Sequence, residues 1–249
     1  AIVRMSSEEF VEAMEQEIKE LEAHNTWTVV LQSSLPEGAN VLASTWAFKI
    51  KRYPDGRLRK FKGRFCAQGD QQVQGVDYFD KYAPVVAWST VRMMLCMSLH
   101  LGWSTKQVDF SNAFVQAELK EEVYIKPPRG FGDSNTEDAV LKLNRSLYGL
   151  VQSPMYWYLH LKKAFEHEEL DLKVSDFDPC MFYGDGMVVL CYVDDCLFFG
   201  PDMKKIDGVI AQLKGQGFQL TIEEDVYAFL GISIAKDEKT NCYELSQQG

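Results

Sequence analysis

The segment Val188-Val189-Leu190-Cys191-Tyr192-Val193-Asp194-Asp195-Cys196-Leu197-Phe198-Phe199-Gly200 constrains this chain most. Two adjacent carboxylates interrupt an otherwise apolar run. Burying an unpaired carboxylate costs several kcal/mol, so the pair needs a turn, hydrogen bonds or cations. The run fits two β-strands joined at the aspartates and closed by Gly200, which puts Asp194 and Asp195 at a hairpin tip. A plain reading makes that tip a solvated turn. A functional reading adds a third carboxylate and a divalent metal.

A chain of 249 residues can bury a large core, as one domain or two joined subdomains. No stretch approaches the roughly 18 apolar residues of a membrane span, and the N-terminus lacks a signal-peptide layout. Cys66, Cys96, Cys180, Cys191, Cys196 and Cys242 have no CxxC spacing and read as reduced core residues of an intracellular protein. The net charge of −10 argues against a simple nucleic-acid-coating protein, but its distribution is uneven. Residues 8–22 hold seven glutamates against Lys19 alone. Residues 49–64 reverse the sign, with Lys49, Lys51, Arg52, Arg57, Arg59, Lys60, Lys62 and Arg64 against Asp55. Such a stretch suits a polyanion contact or a hairpin whose cations blunt exposed edges, and charge alone does not choose.

Ser6 and Glu9 form a capping-box pattern that opens a helix, with Phe10, Met14, Ile18 and Leu21 on one side. Residues 41–52 read as a strand, Tyr53-Pro54-Asp55-Gly56 as a turn, and the segment to Cys66 as the return strand. Ser89 and Thr90 are expected to cap a second helix from Val91 to Leu101, ended by Gly102, with almost no polar face and therefore buried. A short strand from Thr105 runs into Asp109, and Phe110 to Phe114 begin a compact turn or helix. Residues 127–138 make the longest loop. Further helices are expected from Ser153-Pro154 to about Glu169 and from Lys204 to Leu213, with strands around Tyr227–Ala235 and Cys242–Leu245. Without regular βαβ alternation the fold class is α+β.

A strand ending in Asp109 converges with the Asp194–Asp195 hairpin if the two are neighbours in one sheet. Three such carboxylates repel, so cations are needed to keep all of them ionised. Oxygen ligands of this kind suit Mg²⁺, and a pair of such ions suits phosphoryl transfer. Aspartates at strand ends also serve as plain caps or turn residues.

Tyr192-Val193-Asp194-Asp195 resembles the YxDD signature of reverse transcriptases, and its surroundings resemble copia-type retrotransposon Pol polyproteins. The resemblance rests on Lys62-Gly63-Arg64-Phe65-Cys66-Ala67-Gln68-Gly69, Asp77-Tyr78-Phe79-Asp80, Ala83-Pro84-Val85, Val108-Asp109 with Ala113-Phe114, and Glu121-Glu122-Val123-Tyr124. It continues through Pro128-Arg129-Gly130-Phe131, Ser146-Leu147-Tyr148-Gly149-Leu150, Gln152-Ser153-Pro154, Trp157-Tyr158, Phe229-Leu230-Gly231-Ile232 and Leu245-Ser246-Gln247. The match is in order from about Trp27 onward.

The resemblance implies the fingers and palm of a right-hand polymerase, the palm being an antiparallel sheet backed by helices. It implies an N-terminal helix plus fingers over residues 1–84 and 119–150, with the basic hairpin at about 41–67, and a palm over 85–118 and 151–249. It implies RNA- and DNA-directed DNA synthesis from dNTPs on a primed template, with two Mg²⁺ (or Mn²⁺). By motif, Asp109, Asp194 and Asp195 are the metal-binding carboxylates, with the Phe110 carbonyl as an extra ligand. Arg64, and with it Lys62, is expected to hold the triphosphate, since a guanidinium fork matches phosphate oxygens. Ala113 is expected to offer its N–H to the triphosphate, and Phe114 to stand where a ring excludes a ribose 2′-OH. Tyr148 and Gly149 are expected to line the floor beneath the nucleotide, Gly149 permitting close backbone approach.

Val151, Met155 and Gln68 stand where copia-type sequences carry basic residues, and no Lys lies between Gly217 and Phe229 to protonate pyrophosphate. A thumb, connection and RNase H are expected further along a complete element and are absent from these residues. The implied partners are template, primer, dNTPs and the remaining Pol regions, integrase and RNase H, with no membrane. The implied location is a cytoplasmic virus-like particle or the nucleus. A non-catalytic retroelement fragment that binds nucleic acid, and a different two-metal enzyme such as a nuclease or nucleotidyl cyclase, are the competing readings.

Overall fold

A computed structural model describes residues 2–52, 56–128, 138–223, 226, 228–237, 240 and 242–247. The chain begins with α1 (Ile2–Ala23), β1 (Trp27–Leu31), β2 (Val41–Leu42), β3 (Ser44–Arg52) and β4 (Leu58–Ala67). It continues with α2 (Trp88–Leu101), β5 (Ser104–Phe110), α3 (Ala113–Gln116), β6 (Tyr124–Ile125), β7 (Ala139–Leu143) and α4 (Ser153–Phe165). Then follow β8 (Lys173–Val174), β9 (Met181–Gly184), β10 (Met187–Tyr192), β11 (Asp195–Gly200) and α5 (Met203–Gly215). The chain closes with β12 (Leu220–Glu223), β13 (Ala228–Phe229), β14 (Ile232–Asp237) and β15 (Cys242–Ser246). The result is a mixed α/β architecture of several sheets and few helices. Its residues divide into two compact units, Ala1–Tyr82 with Phe114–Tyr156, and Ala83–Ala113 with Trp157–Gly249.

In the first unit, β1, β7, β6 and β2 form one sheet in that order, and β3 pairs with β4 as a long antiparallel hairpin. Along β4 the side chains alternate: Gly63, Phe65 and Ala67 are buried while Lys62, Arg64 and Cys66 lie on the other face. The buried face meets α1, where a side chain at Gly63 would stand 3.5 Å from Met14 and the Phe10 ring lies 4.9 Å from both Phe48 and Phe61. Leu21, Leu42, Phe65, Val123, Ile125 and Leu147 complete that core.

In the second unit, six strands run β12-β5-β11-β10-β9-β8, every pairing antiparallel. Val91, Met94 and Leu95 of α2 join Leu190, Leu197 and Phe199 in one cluster. Phe165 of α4 lies 4.9 Å from Phe182 and 6.4 Å from Phe198. With apolar partners on both faces, β10 and β11 have no reason to alternate, which explains their unbroken hydrophobic run.

Several boundaries differ from the sequence expectation. Ser6 lies inside α1, not at its start, because the helix extends back to Ile2. Neither Ser89 nor Thr90 caps α2. Its N-cap is Ala87, and the buried Asp178 carboxylate accepts from Ala87 N (3.0 Å) and Thr90 Oγ1 (2.6 Å). Gly102 does end α2, at φ 65°. That helix is not fully buried either: Met93, Met97 and Leu101 are exposed, as is Cys96. Cys242 is likewise exposed, so the cysteines are not uniformly core residues. α4 stops at Phe165, whose carbonyl accepts from Leu172 N at 2.9 Å as the chain turns back. The turn at 53–55 and the loop segment at 129–137 lie outside the described residues. No helix among the described residues is long and apolar enough to cross a membrane.

Candidate functional site

The central pairing of the six-stranded sheet places the carboxylates. β11 runs antiparallel to β5 with Asp195 directly opposite Asp109. Directly opposed residues share a face, with Cβ atoms about 5 Å apart. Asp194 belongs to the two-residue turn that joins Tyr192 to Asp195, and its carbonyl accepts from Phe110 N at 2.7 Å. The three aspartates, 85 residues apart along the chain (109 to 194), are thus brought together, and each is half-buried. On the other side of β5, Thr221 opposes Asp109 and Glu223 opposes Gln107. Gln107 Nε2 donates to Asp195 Oδ1 at 3.4 Å.

Electrostatics follows from that crowding. Burial, then the charge of Asp194, pushes the Asp195 carboxyl up to about 6, with Asp109 and Glu223 acting in the same direction and the Gln107 hydrogen bond opposing. A divalent cation relieves such mutual repulsion, and the donor set is all oxygen, which suits Mg²⁺ or Mn²⁺. Among the described residues no group of three acidic, His or Cys side chains is already gathered closely enough to hold an ion. The strand register sets Asp195 opposite Asp109 with Asp194 in the adjoining turn, without gathering the three side chains into an ion site.

Beneath the tip the packing is aromatic. Phe110 lies 5.2 Å from Trp157 and 5.7 Å from Phe218, all three rings meeting at steep angles. Trp157 Nε1 donates to Val193 O at 2.6 Å. Cys191 and Cys196, opposed across the hairpin, bring their Sγ atoms to 3.1 Å as free thiols.

The other candidate residues, Ala113 apart, lie in the first unit. The Arg64 guanidinium carbon stands 5.0 Å from the centre of the Tyr148 ring, and that ring lies 4.8 Å from Phe114. Arg64 Nε is buried without a hydrogen-bond partner. Lys62 shares the β4 face of Arg64. Burial holds its ammonium below the usual lysine range, with Arg64 adding to the effect and Glu17 of α1 opposing it. Gly149 takes φ 91°, and a side chain there would collide with Ala67 O. The close approach this glycine permits is therefore to the end of β4, where Ala67 N donates to Tyr148 O at 2.8 Å. Ala113, buried at the start of α3, belongs to the second unit. A cavity of about 560 Å³ in the first unit is lined by Asn40, Asp77, Phe79, Glu121, Tyr124 and Tyr156 among others, and none of the candidate residues lines it.

Sequence reading missed Gln107, Glu17 and the role of Trp157. A tryptophan in an apolar helix reads as core, and a glutamine in a strand gives no sign of the carboxylate it will face. The only available signal for Glu17 is its helical spacing beside Met14, Ile18 and Leu21 on the apolar side of α1.

Comparison with known proteins identifies the family. The family model described as reverse transcriptase (RNA-dependent DNA polymerase) matches residues 24–249. The chain is 32% identical to the retrovirus-related Pol polyprotein from transposon TNT 1-94 of Nicotiana tabacum, over 96% of the chain and 18% of that protein. It is also 32% identical to the corresponding polyprotein from transposon RE2 of Arabidopsis thaliana, over 93% of the chain and 16% of the relative. Identity is 30% to the transposon Ty1-GR3 Gag-Pol polyprotein of Saccharomyces cerevisiae, over 84% and 12%. The chain thus spans less than a fifth of the length of these relatives. Because the family match covers residues 24–249 and these relatives match most of the chain, the chain belongs to the reverse transcriptase family, as the reverse transcriptase domain of a copia-type Pol polyprotein.

Proposed function

We propose that the chain is an RNA- and DNA-directed DNA polymerase that transfers a nucleotidyl group from a dNTP to a primer 3′-OH. The observation that carries this reading is the register of Asp195 against Asp109, with Asp194 in the adjoining turn. In this reading residues 85–118 and 151–249 form the palm, whose sheet holds the carboxylates, and 1–84 and 119–150 form the N-terminal helix and fingers. The two compact units, divided near these boundaries, support that division.

Asp109, Asp194 and Asp195, with the Phe110 carbonyl, would hold two Mg²⁺, Mn²⁺ being an alternative. When bound, such ions make the primer hydroxyl a better nucleophile and neutralise charge on the departing pyrophosphate. The chain's own residues do the positioning. Arg64 has a buried Nε without a partner and a guanidinium stacked on Tyr148, which supports a phosphate-facing role. Lys62 adds positive charge beside it. Phe114, packed edge-on against Tyr148, presents the rigid ring expected to exclude a 2′-OH. Ala113 offers its N–H to the triphosphate, and Tyr148 with Gly149 supports the base pair. The partners are a primed RNA or DNA template, dNTPs and the integrase and RNase H regions of the polyprotein. The setting is a cytoplasmic virus-like particle or the nucleus.

Extension of a DNA primer on an RNA template, with and without Mg²⁺, tests the reading. Template-directed addition that chelation abolishes is the expected result. Nucleic-acid binding with no extension would instead mark a decayed fragment, the reading that the neutral residues at Gln68, Val151 and Met155 favour. Metal-dependent cleavage or cyclisation without a template would point to a different two-metal enzyme.

A further inference from the structure

We infer that Trp157 is a positioning residue for the Asp194–Asp195 turn, its indole N–H holding the hairpin backbone in the conformation that presents both carboxylates beside Asp109. The role toward metal rests on the proposed function above; the hold on the turn stands on geometry alone.

Val193 occupies the first position of the two-residue turn with φ 54°. Left-handed backbone is rare for β-branched side chains, and a two-residue hairpin loop ordinarily places glycine, asparagine or aspartate there. Among the described non-glycine residues with positive φ, which are Asn25, Asn112, Asp171, Asp185, Val193 and Leu230, Val193 alone is β-branched. A strained conformation persists only where its surroundings over-determine it. Here both carbonyls of the turn are held. Val193 O accepts from Trp157 Nε1 at 2.6 Å, and Asp194 O accepts from Phe110 N at 2.7 Å.

The two holds are joined, because the Trp157 and Phe110 rings lie 5.2 Å apart. Trp157 is only 1% exposed, with Phe218 and His160 also against its ring. Core packing explains a large apolar ring at this place, but it does not require an indole N–H. Another aromatic ring would fill the space and leave Val193 O without its donor. The turn could then relax to negative φ at Val193, which would re-aim Asp194.

The test compares wild type with Trp157→Phe in the 249-residue chain. Two backbone amides are followed by hydrogen exchange: Phe110, bonded to Asp194 O, and Cys191, bonded to Cys180 O at 2.8 Å elsewhere in the sheet. Mn²⁺ affinity is measured by electron paramagnetic resonance. Trp157→Phe is expected to speed exchange at Phe110 about tenfold, leave Cys191 unchanged and weaken Mn²⁺ binding several-fold. Adding Val193→Gly should recover most of both losses, because glycine adopts positive φ without strain. Unchanged exchange at Phe110, equal acceleration at both amides, or no recovery with Val193→Gly would each overturn the inference. Should Trp157→Phe not fold, the wild-type indole decides: a Trp157 N–H that exchanges slowly supports the bond, and one that exchanges freely refutes it. Wild type that shows the amide effects but binds no Mn²⁺ would sink the proposed metal site while leaving the hold on the turn intact.

Discussion

Asp195 meets two opposing demands, since its strand runs into a buried core on both faces while Asp194, Asp109 and Glu223 add negative charge around it. Relieving that crowding by mutation should show in stability. Asp194→Asn removes the largest charge acting on Asp195, and its thermal midpoint is expected to equal or exceed that of wild type by a few degrees. A clear fall in that midpoint would mean the carboxylates do not repel as described. Phe114 can be judged in the same residue-by-residue way. Phe114→Ala is expected to raise the rNTP/dNTP incorporation ratio about ten- to hundredfold, read in single-turnover kinetics. An unchanged ratio would leave Phe114 as a packing partner of Tyr148. Of these residues the aspartates were legible in the sequence, because a carboxylate inside an apolar run has few bland explanations. Gln107, Glu17 and the hydrogen bond from Trp157 were not, because each acquires its partner from a segment remote along the chain.

Helix α1 and strand β4 show how two elements of opposite charge set one another's chemistry. Glu17 is 4% exposed on α1, and its carboxylate accepts from Phe65 N at 3.4 Å. Burial pushes it up to about 7, with Lys62, the Phe65 N–H and Arg64 drawing it back down. The folded chain therefore keeps this proton to near neutrality while the unfolded chain releases it near the ordinary glutamate value. The contribution is full below about pH 4.5 and is lost as pH rises through about 7. Glu17→Gln is expected to be more stable than wild type at pH 8 by about 2 kcal/mol and to converge with it near pH 4.5, in urea titrations at the two pH values. A difference independent of pH would contradict the assignment. The N-terminus of α2 offers a second check: Asp178→Ala is expected to cost about 1–2 kcal/mol in the same assay, because Ala87 N and Thr90 Oγ1 lose their acceptor. At this scale the periodic helices and the long basic hairpin were readable from pattern. The short strands β1, β6, β7, β8 and β9 were not, since two to five residues carry too little periodicity and their pairing joins distant segments. The cap of α2 was misread for a related reason, its acceptor lying some ninety residues further on.

Each compact unit is built from two separate stretches of chain, so neither is a contiguous segment. The four-stranded sheet of the first unit takes β1 and β2 from before residue 83 and β6 and β7 from after residue 113. A fragment of residues 1–112 should therefore lack a cooperative thermal transition by circular dichroism, its β1 deprived of β7. A sharp transition would show that the first stretch folds alone. The same discontinuity explains why composition and motifs revealed the family and the mixed α/β character, while the sheet order needed the structure. The proposed activity turns on three aspartates acting as one group. The measurement that tests it most directly is Mg²⁺-dependent addition of a single dNMP to a primer on an RNA template, comparing wild type with Asp109→Asn, Asp194→Asn and Asp195→Asn. Addition by wild type and a loss of at least about 10³-fold in every folded variant is the predicted result. Addition that survives in any one of the three, or none by wild type, would contradict it.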